Sequence, residues 1–244
     1  MASISDVTIK VLWVKSGNRC ALCKTQLTHI GADGELPVGE MAHISGEKPI
    51  SARYDEAMTV AVRNGYNNLI LLCPTCHTKI DKDVAGYTVE RLQACKGDHE
   101  NSIAEAIKAS TLEVTFFELE DTLRHLIHNS VDEVEESLQV IPPKDKIKKN
   151  MLSSKVEMLL QVGLLQSKQV EDYLNKNADM DYAKKLRSSF VASYETAKLE
   201  GGSGDDIFFT LMDVASNGNA DSKYMAAGLS VLSYYFQLCE VFEK

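Results

Sequence analysis

The chain has 244 residues, 44% of them hydrophobic and 25% charged, the balance of an ordinary folded protein, which excludes wholesale disorder. Its longest strongly apolar stretch, 69–73, is far too short to cross a bilayer, and the opening MASISDVTIK lacks the apolar core of a secretory leader, so no membrane association and a cytoplasmic location are expected. The net charge is −9, with 11 Lys and Arg against 13 Asp and Glu in residues 1–105 and 15 against 22 in the remainder, so neither part is the uniformly basic body of a solitary nucleic-acid binder, although one local basic face is still allowed.

In chain order, residues 5–14 are periodic enough for a short helix, with Val7, Val11 and Val14 on one face. Glycines 31, 34, 39 and 46 then punctuate a loop-rich stretch around a short strand at 40–44. Residues 53–63 read as helical, Asn64-Gly65-Tyr66 as a turn, and 68–72 as a short apolar run. A helix starts near Pro74 or Thr75 and runs through Ile80 and Asp81, since proline suits a first helical turn. Residues 87–107 form a further helix. Beyond about 110 glycine thins out and helical periodicity takes over, giving helices at 116–128, 144–166, 169–175, 182–199, 206–215 and 222–243. The linkers between them are 132–136, 201–204 and 217–219, with Pro142-Pro143 as a stop. The sequence therefore divides into an α+β domain at 1–109 and an all-α domain at 110–244.

The cysteines are unevenly spread. Cys20-x2-Cys23 and Cys73-x2-Cys76 form two knuckles, while Cys95 and Cys239 stand alone as expected buried thiols. Two such knuckles read as a four-thiolate structural zinc (Zn2+) site, closed to water, which holds the long segment between them at both ends.

Between the knuckles lies Glu40-Met41-Ala42-His43-Ile44, and the second knuckle is embedded in Asn68-Leu-Ile-Leu-Leu-Cys73-Pro-Thr-Cys76-His77-Thr-Lys-Ile-Asp81. This ordered His–Asn–His set, with both knuckles, resembles the HNH (His-Me finger, ββα-metal) endonucleases, and within them the branch braced by four cysteines. The downstream Tyr87-x3-Arg91-Leu92-x3-Lys96-x2-His99-Glu100 is similar to the helix that follows the core in that branch. The resemblance covers residues 10–105. It implies a ββα-metal nuclease domain with structural zinc that hydrolyses DNA phosphodiester bonds and leaves a 5′-phosphate and a 3′-hydroxyl. It gives His43 the role of general base, and His77 and Asp81 those of ligands to a catalytic Mg2+ or Mn2+.

The residues suit those roles. His77 and Asp81 are four apart and share one helix face, where an imidazole and a carboxylate can hold a cation and leave positions for phosphate and water. Imidazole changes charge near neutral pH, which suits His43 to take a proton from water. Asn68 does not titrate and is suited to fixing backbone through its amide. Arg53 and Arg63 are candidates for phosphate contact. The departure from the family is Ala42, where many HNH enzymes place a metal-binding residue. Asp81 or Glu40 then supplies the carboxylate, and Asp81 ranks first because Glu40 and His43 face opposite ways on a regular strand. His99, His125 and His128 have structural readings, with a partner-orienting role open for His99. The competing class is a non-catalytic zinc-module adaptor for nucleic acid or protein, which Ala42 favours.

The closing segment from Ala226 to Lys244 is apolar on more than one face, as in a helix buried in a core or interface. With Lys144-Asp145-Lys146-Ile147 and Asn150-Met-Leu-Ser upstream, it resembles the C-terminal domain of effectors in bacterial three-component conflict systems built around an ABC-type, SMC-like ATPase, the Lamassu-like group. That resemblance implies an anti-phage effector whose nuclease domain is activated by a partner ATPase or by assembly as a homo-oligomer.

Overall fold

The computed structural model describes residues 4–31, 34–128, 143–177, 181–238 and 241–242. The chain divides into two compact units, Met1–Ala104 and Glu105–Lys244. It is mostly helical with a few short strands. No helix among the described residues is long and apolar enough to cross a membrane.

In the first unit, α1 (Asp6–Ser16) starts where the Ser5 side chain accepts from the Thr8 N–H and stops at Gly17, whose φ of 55° sets the left-handed cap. Strands β1 (Thr28–Gly31) and β2 (Gly34–Pro37) pair antiparallel, with Thr28 opposite Pro37. Two of the glycines read as loop punctuation, Gly31 and Gly34, therefore face each other at the end of this strand pair. Strands β3 (Glu40–His43) and β4 (Leu69–Leu72) form a second antiparallel pair, with Glu40 opposite Leu72 and His43 opposite Leu69. All four β4 residues are buried, because α1 packs on this strand and so does α3 (Pro74–Lys82). A strand covered on both faces reads as a continuous apolar run, which is what Leu-Ile-Leu-Leu is.

The helix expected at 53–63 shrinks to α2 (Val60–Arg63), which begins where the Thr59 side chain accepts from the Val62 N–H. Arg53 has a φ of 57°, a left-handed conformation that no helix can pass through. A 3-10 turn, Tyr66–Asn68, leads into β4, and α4 (Val89–Thr111) follows α3.

The second unit is helical: α5 (Phe116–His128), α6 (Pro143–Lys149), α7 (Ser154–Gly163), α8 (Ser167–Lys176), α9 (Tyr182–Leu199), α10 (Asp205–Ala215) and α11 (Ser222–Gln237). The single helix expected at 144–166 is broken. Met151 takes a φ of 52°, and the Ser153 hydroxyl caps α7 while bonding Asp205 at 2.6 Å. Helix α11 is the centre of the unit and packs on α5, α7, α8 and α10. Two glycines allow that approach. A Cβ on Gly228 would meet the Ser216 nitrogen at 2.9 Å, and one on Gly163 would meet the Leu229 carbonyl oxygen at 2.8 Å. Buried Lys146 gives Nζ–H to the Phe236 carbonyl at the end of α11, at 3.2 Å. Helix α11 ends at Gln237, short of the expected 243. The 132–136 linker, Pro142, Cys239 and Glu243 lie outside the described residues.

Candidate functional site

Asn68 closes the 3-10 turn just ahead of β4 and is only 4% exposed. Its Oδ1 accepts from the Ser45 N–H at 2.9 Å, and its Nδ2 donates to the Ser45 and Arg63 carbonyls, each at 2.9 Å. The chain leaving β3 is thereby clamped to the chain leaving α2. Only an amide presents the acceptor and the two donors that this clamp uses.

His43 ends β3, half-buried, with Nε2 3.0 Å from Asn64 Oδ1. With that oxygen accepting, Nε2 carries the hydrogen and the lone pair sits on Nδ1. Asn64 is a partner that the turn reading of Asn64-Gly65-Tyr66 passes over. The nearby Asn68 draws attention in the sequence, and Asn64 lies four residues upstream of it.

His77 sits in α3 between two carboxylates. Its Nδ1 lies 2.7 Å from Glu40 Oε2, and its Nε2 lies 3.5 Å from Asp81 Oδ2. Strand alternation turns Glu40 away from His43, which places Asp81 ahead of it on sequence grounds. The register of Glu40 nevertheless brings it to the other ring nitrogen of His77: Glu40 pairs with Leu72 and so stands beside the start of α3.

Arg53 and Arg63 do not occupy the exposed positions that phosphate contacts need. The Arg53 side chain is 4% exposed and donates from Nε to the Ile44 carbonyl at 2.7 Å, from Nη1 to the Ile80 carbonyl at 2.5 Å, and from Nη2 to Asp81 Oδ1 at 3.2 Å. Buried Arg63 donates from Nη2 to the Asp55 and Met58 carbonyls at 2.7 and 2.9 Å and stacks 4.5 Å from the Tyr54 ring centre. Both are internal fasteners. The contacts thus bring Glu40, His77, Asp81 and Arg53 into one chain. His43 is tied to it through the carbonyl of its neighbour Ile44, and Asn68 lies behind as the clamp.

The sulfurs of Cys20, Cys23, Cys73 and Cys76 all lie within 4.8 Å of one another, with Cys23 and Cys73 3.7 Å apart. A tetrahedral zinc with Zn–S bonds of about 2.3 Å has sulfur–sulfur edges of about 3.8 Å, so the four can hold a zinc ion. Cys73 is also the N-cap of α3, its sulfur accepting from the Cys76 N–H, and the Ala21 N–H donates to the Leu71 carbonyl at 3.0 Å. The first knuckle is thereby fastened to β4 and the second to the helix that bears His77. The hydrogen bond with the Thr25 side chain brings the Cys23 thiol down to about 6, whereas burial pushes the Cys73 and Cys76 thiols up. Crowded, partly desolvated thiols resist ionising together unless a cation neutralises them, which is what a metal centre supplies.

His99 is 1% exposed, with Nε2 donating to the Ser16 carbonyl at 3.0 Å and Nδ1 3.1 Å from Lys24 Nζ. It ties α4 to the first knuckle, a structural role. Burial, then the Lys24 charge, holds its pKa below the usual imidazole range. On the same helix, Lys96 pairs with Glu100 at 2.5 Å and lies 3.7 Å from the Tyr66 ring centre.

The family model for C-terminal domain 10 of the ABC-three component (ABC-3C) systems matches residues 118–243. The chain belongs to this family. Its α11, the motif around Lys146 and the surrounding helices are thus the C-terminal domain of an ABC-3C component, in agreement with the resemblance carried by the closing helix. No curated protein matches this ABC-3C chain.

Proposed function

We propose that the first unit is a metal-dependent HNH endonuclease of the ββα-metal type that hydrolyses DNA, and that the ABC-3C chain is the effector of an anti-phage complex with an SMC-like ABC-type ATPase. The observation that carries the reading is His77 held between Glu40 and Asp81 on the helix that directly follows the strand pair bearing His43.

A metal-bound imidazole uses one ring nitrogen and is oriented at the other by a carboxylate or carbonyl. Glu40 fills the orienting role at Nδ1, leaving Nε2 and Asp81 as the ligand pair. Adjacent ligands of a six-coordinate ion at about 2.1 Å lie about 3 Å apart, close to the separation of these two atoms, so the residues fit. A Mg2+ or Mn2+ bound there supplies charge neutralisation at the scissile phosphate.

The chain's own residues do the rest. His43, with Nε2–H given to Asn64, presents the Nδ1 lone pair to a water. The water oxygen bonds to phosphorus as its proton passes to His43 Nδ1. The P–O3′ bond then breaks, leaving a 5′-phosphate, and the 3′-oxygen takes a proton from solvent. The cysteine centre and the Asn68 clamp keep β3, β4 and α3 in register while this happens.

A nuclease unit without a basic surplus binds DNA weakly by itself, which suits an effector held quiet until an ATPase partner or self-assembly presents it to DNA. The second reading, a non-catalytic zinc adaptor, is favoured by Ala42, which is fully buried where an acidic ligand would stand. Plasmid cleavage assayed with Mg2+ and with Mn2+, with and without the other ABC-3C components, separates the two. Metal-dependent nicking lost in His43→Ala supports the nuclease, and no cleavage under any of these conditions supports the adaptor.

A further inference from the structure

We infer that Arg53 is the positioning residue of the candidate ion site: its buried guanidinium fixes the Asp81 carboxylate so that the second oxygen faces His77. The inference rests on the ion-site reading above and assigns that site its regulating contact.

Three donors of one planar group meet three acceptors. Nε reaches the Ile44 carbonyl at 2.7 Å, Nη1 the Ile80 carbonyl at 2.5 Å and Nη2 Asp81 Oδ1 at 3.2 Å. The first acceptor follows His43 at the end of β3, and the other two lie in the last turn of α3. One side chain therefore sets the spacing between the strand that bears the candidate base and the helix that bears the candidate ligands. Asp81 is half exposed, and among the described residues its carboxylate is held by Arg53 and by its 3.5 Å approach to His77. With Oδ1 taken by Arg53, Oδ2 is the oxygen that turns toward Nε2. The backbone is in keeping with this, because Arg53 adopts a left-handed φ of 57° that non-glycine residues seldom take, while its side chain is buried. A surface arginine meant for phosphate would need neither the burial nor the strained turn.

The charge and the fork can be separated. Removing the charge would also relieve its competition for Asp81, so Arg53→Ala mixes two effects. Arg53→Lys keeps the charge and loses the planar three-way geometry, which a single ammonium cannot reproduce.

The test is Mn2+ binding to the full zinc-loaded chain, read from the electron paramagnetic resonance signal of free Mn2+. Wild type binds one ion that Asp81→Asn removes. Arg53→Lys weakens that binding about tenfold, the scale of lost outer contacts at metal sites, with zinc content unchanged and plasmid cleavage, assayed with the other ABC-3C components, recovering at saturating Mn2+. Equal affinity in Arg53→Lys and wild type overturns the inference while leaving the ion site standing. Wild-type binding that is absent, or indifferent to Asp81→Asn, overturns the ion-site reading and the inference with it. If Arg53→Lys loses zinc or unfolds, Arg53→Gln decides, since it leaves the Asp81 ligand untouched and removes the guanidinium fork. Weakened Mn2+ binding with zinc retained then supports the inference, and unchanged binding overturns it.

Discussion

Replacing Asn68 with alanine tests the clamp on which the site geometry depends. The substitution removes three hydrogen bonds of 2.9 Å and leaves the Ser45 N–H and the Ser45 and Arg63 carbonyls without their amide partner in a buried setting. A buried polar backbone group left unpaired costs about 1–3 kcal/mol, and the carbonyls retain a second lone pair that water can reach in part. The loss is therefore about 3–5 kcal/mol, a large fraction of the roughly 5–15 kcal/mol by which a domain is stable. Trp13 is the single tryptophan of the chain and packs against the core of the first unit, so its fluorescence reports that unit alone. With a urea dependence of about 1.5 kcal/mol per molar, the midpoint falls by about 2–3 M in excess zinc. A shift below about 0.5 M would refute the clamp and with it the claim that Asn68 acts through backbone.

Further expectations concern the chemistry and the rest of the fold. His43→Ala lowers plasmid cleavage by about a hundredfold or more while the Trp13 unfolding midpoint stays in place, and equal cleavage would remove His43 from the reaction. Cys73→Ser, or chelation of zinc, unfolds the first unit by Trp13 fluorescence but leaves most of the far-ultraviolet helix signal, which comes largely from the second unit; an unchanged Trp13 midpoint would show that the cysteines do not hold metal. Because burial depresses the His99 pKa, the unfolded chain takes up a proton there before the folded one does, so stability is fully present above about pH 6.5 and falls as pH drops toward the depressed value. That slope in urea midpoints should vanish in His99→Gln, and its persistence would assign it to another group. Gly228→Ala drives a methyl against the Ser216 and Ala215 backbone and should lower the second unit's stability by about 1–3 kcal/mol, read as a fall of several degrees in its helix melting, whereas an unchanged melt would contradict the close approach of α10 and α11.

Much of the local structure was legible because local chemistry decides it. Pro74 at the head of α3, the valine spacing of α1 and the helical period of 116–128 and 182–199 each act within a few residues. The continuous apolar β4 and the four cysteines were equally plain. The helix expected at 53–63 failed because a left-handed Arg53 is dictated by partners at Ile44, Ile80 and Asp81, far from it in sequence. The break at 150–153 likewise depends on Asp205, about fifty residues away. At the site, His77 with Asp81 could be read from helical spacing, whereas Glu40 could be named only as the second candidate. Its place beside His77 follows from which residue of β4 it pairs with, and register is a property of the assembled sheet. Asn64 was hidden for the same reason, since nothing in an Asn-Gly-Tyr turn signals a histidine on the preceding strand.

The central claim is that the first unit cuts DNA through His43 with an ion at His77 and Asp81. The most direct test is nicking of supercoiled plasmid by the purified chain together with the other components of its ABC-3C system, in Mg2+ or Mn2+. The account predicts nicks with 5′-phosphate ends in wild type, lost in His43→Ala and His77→Ala while both variants keep their zinc. Intact plasmid with the wild-type complex in either metal, or undiminished nicking by His43→Ala, would contradict it.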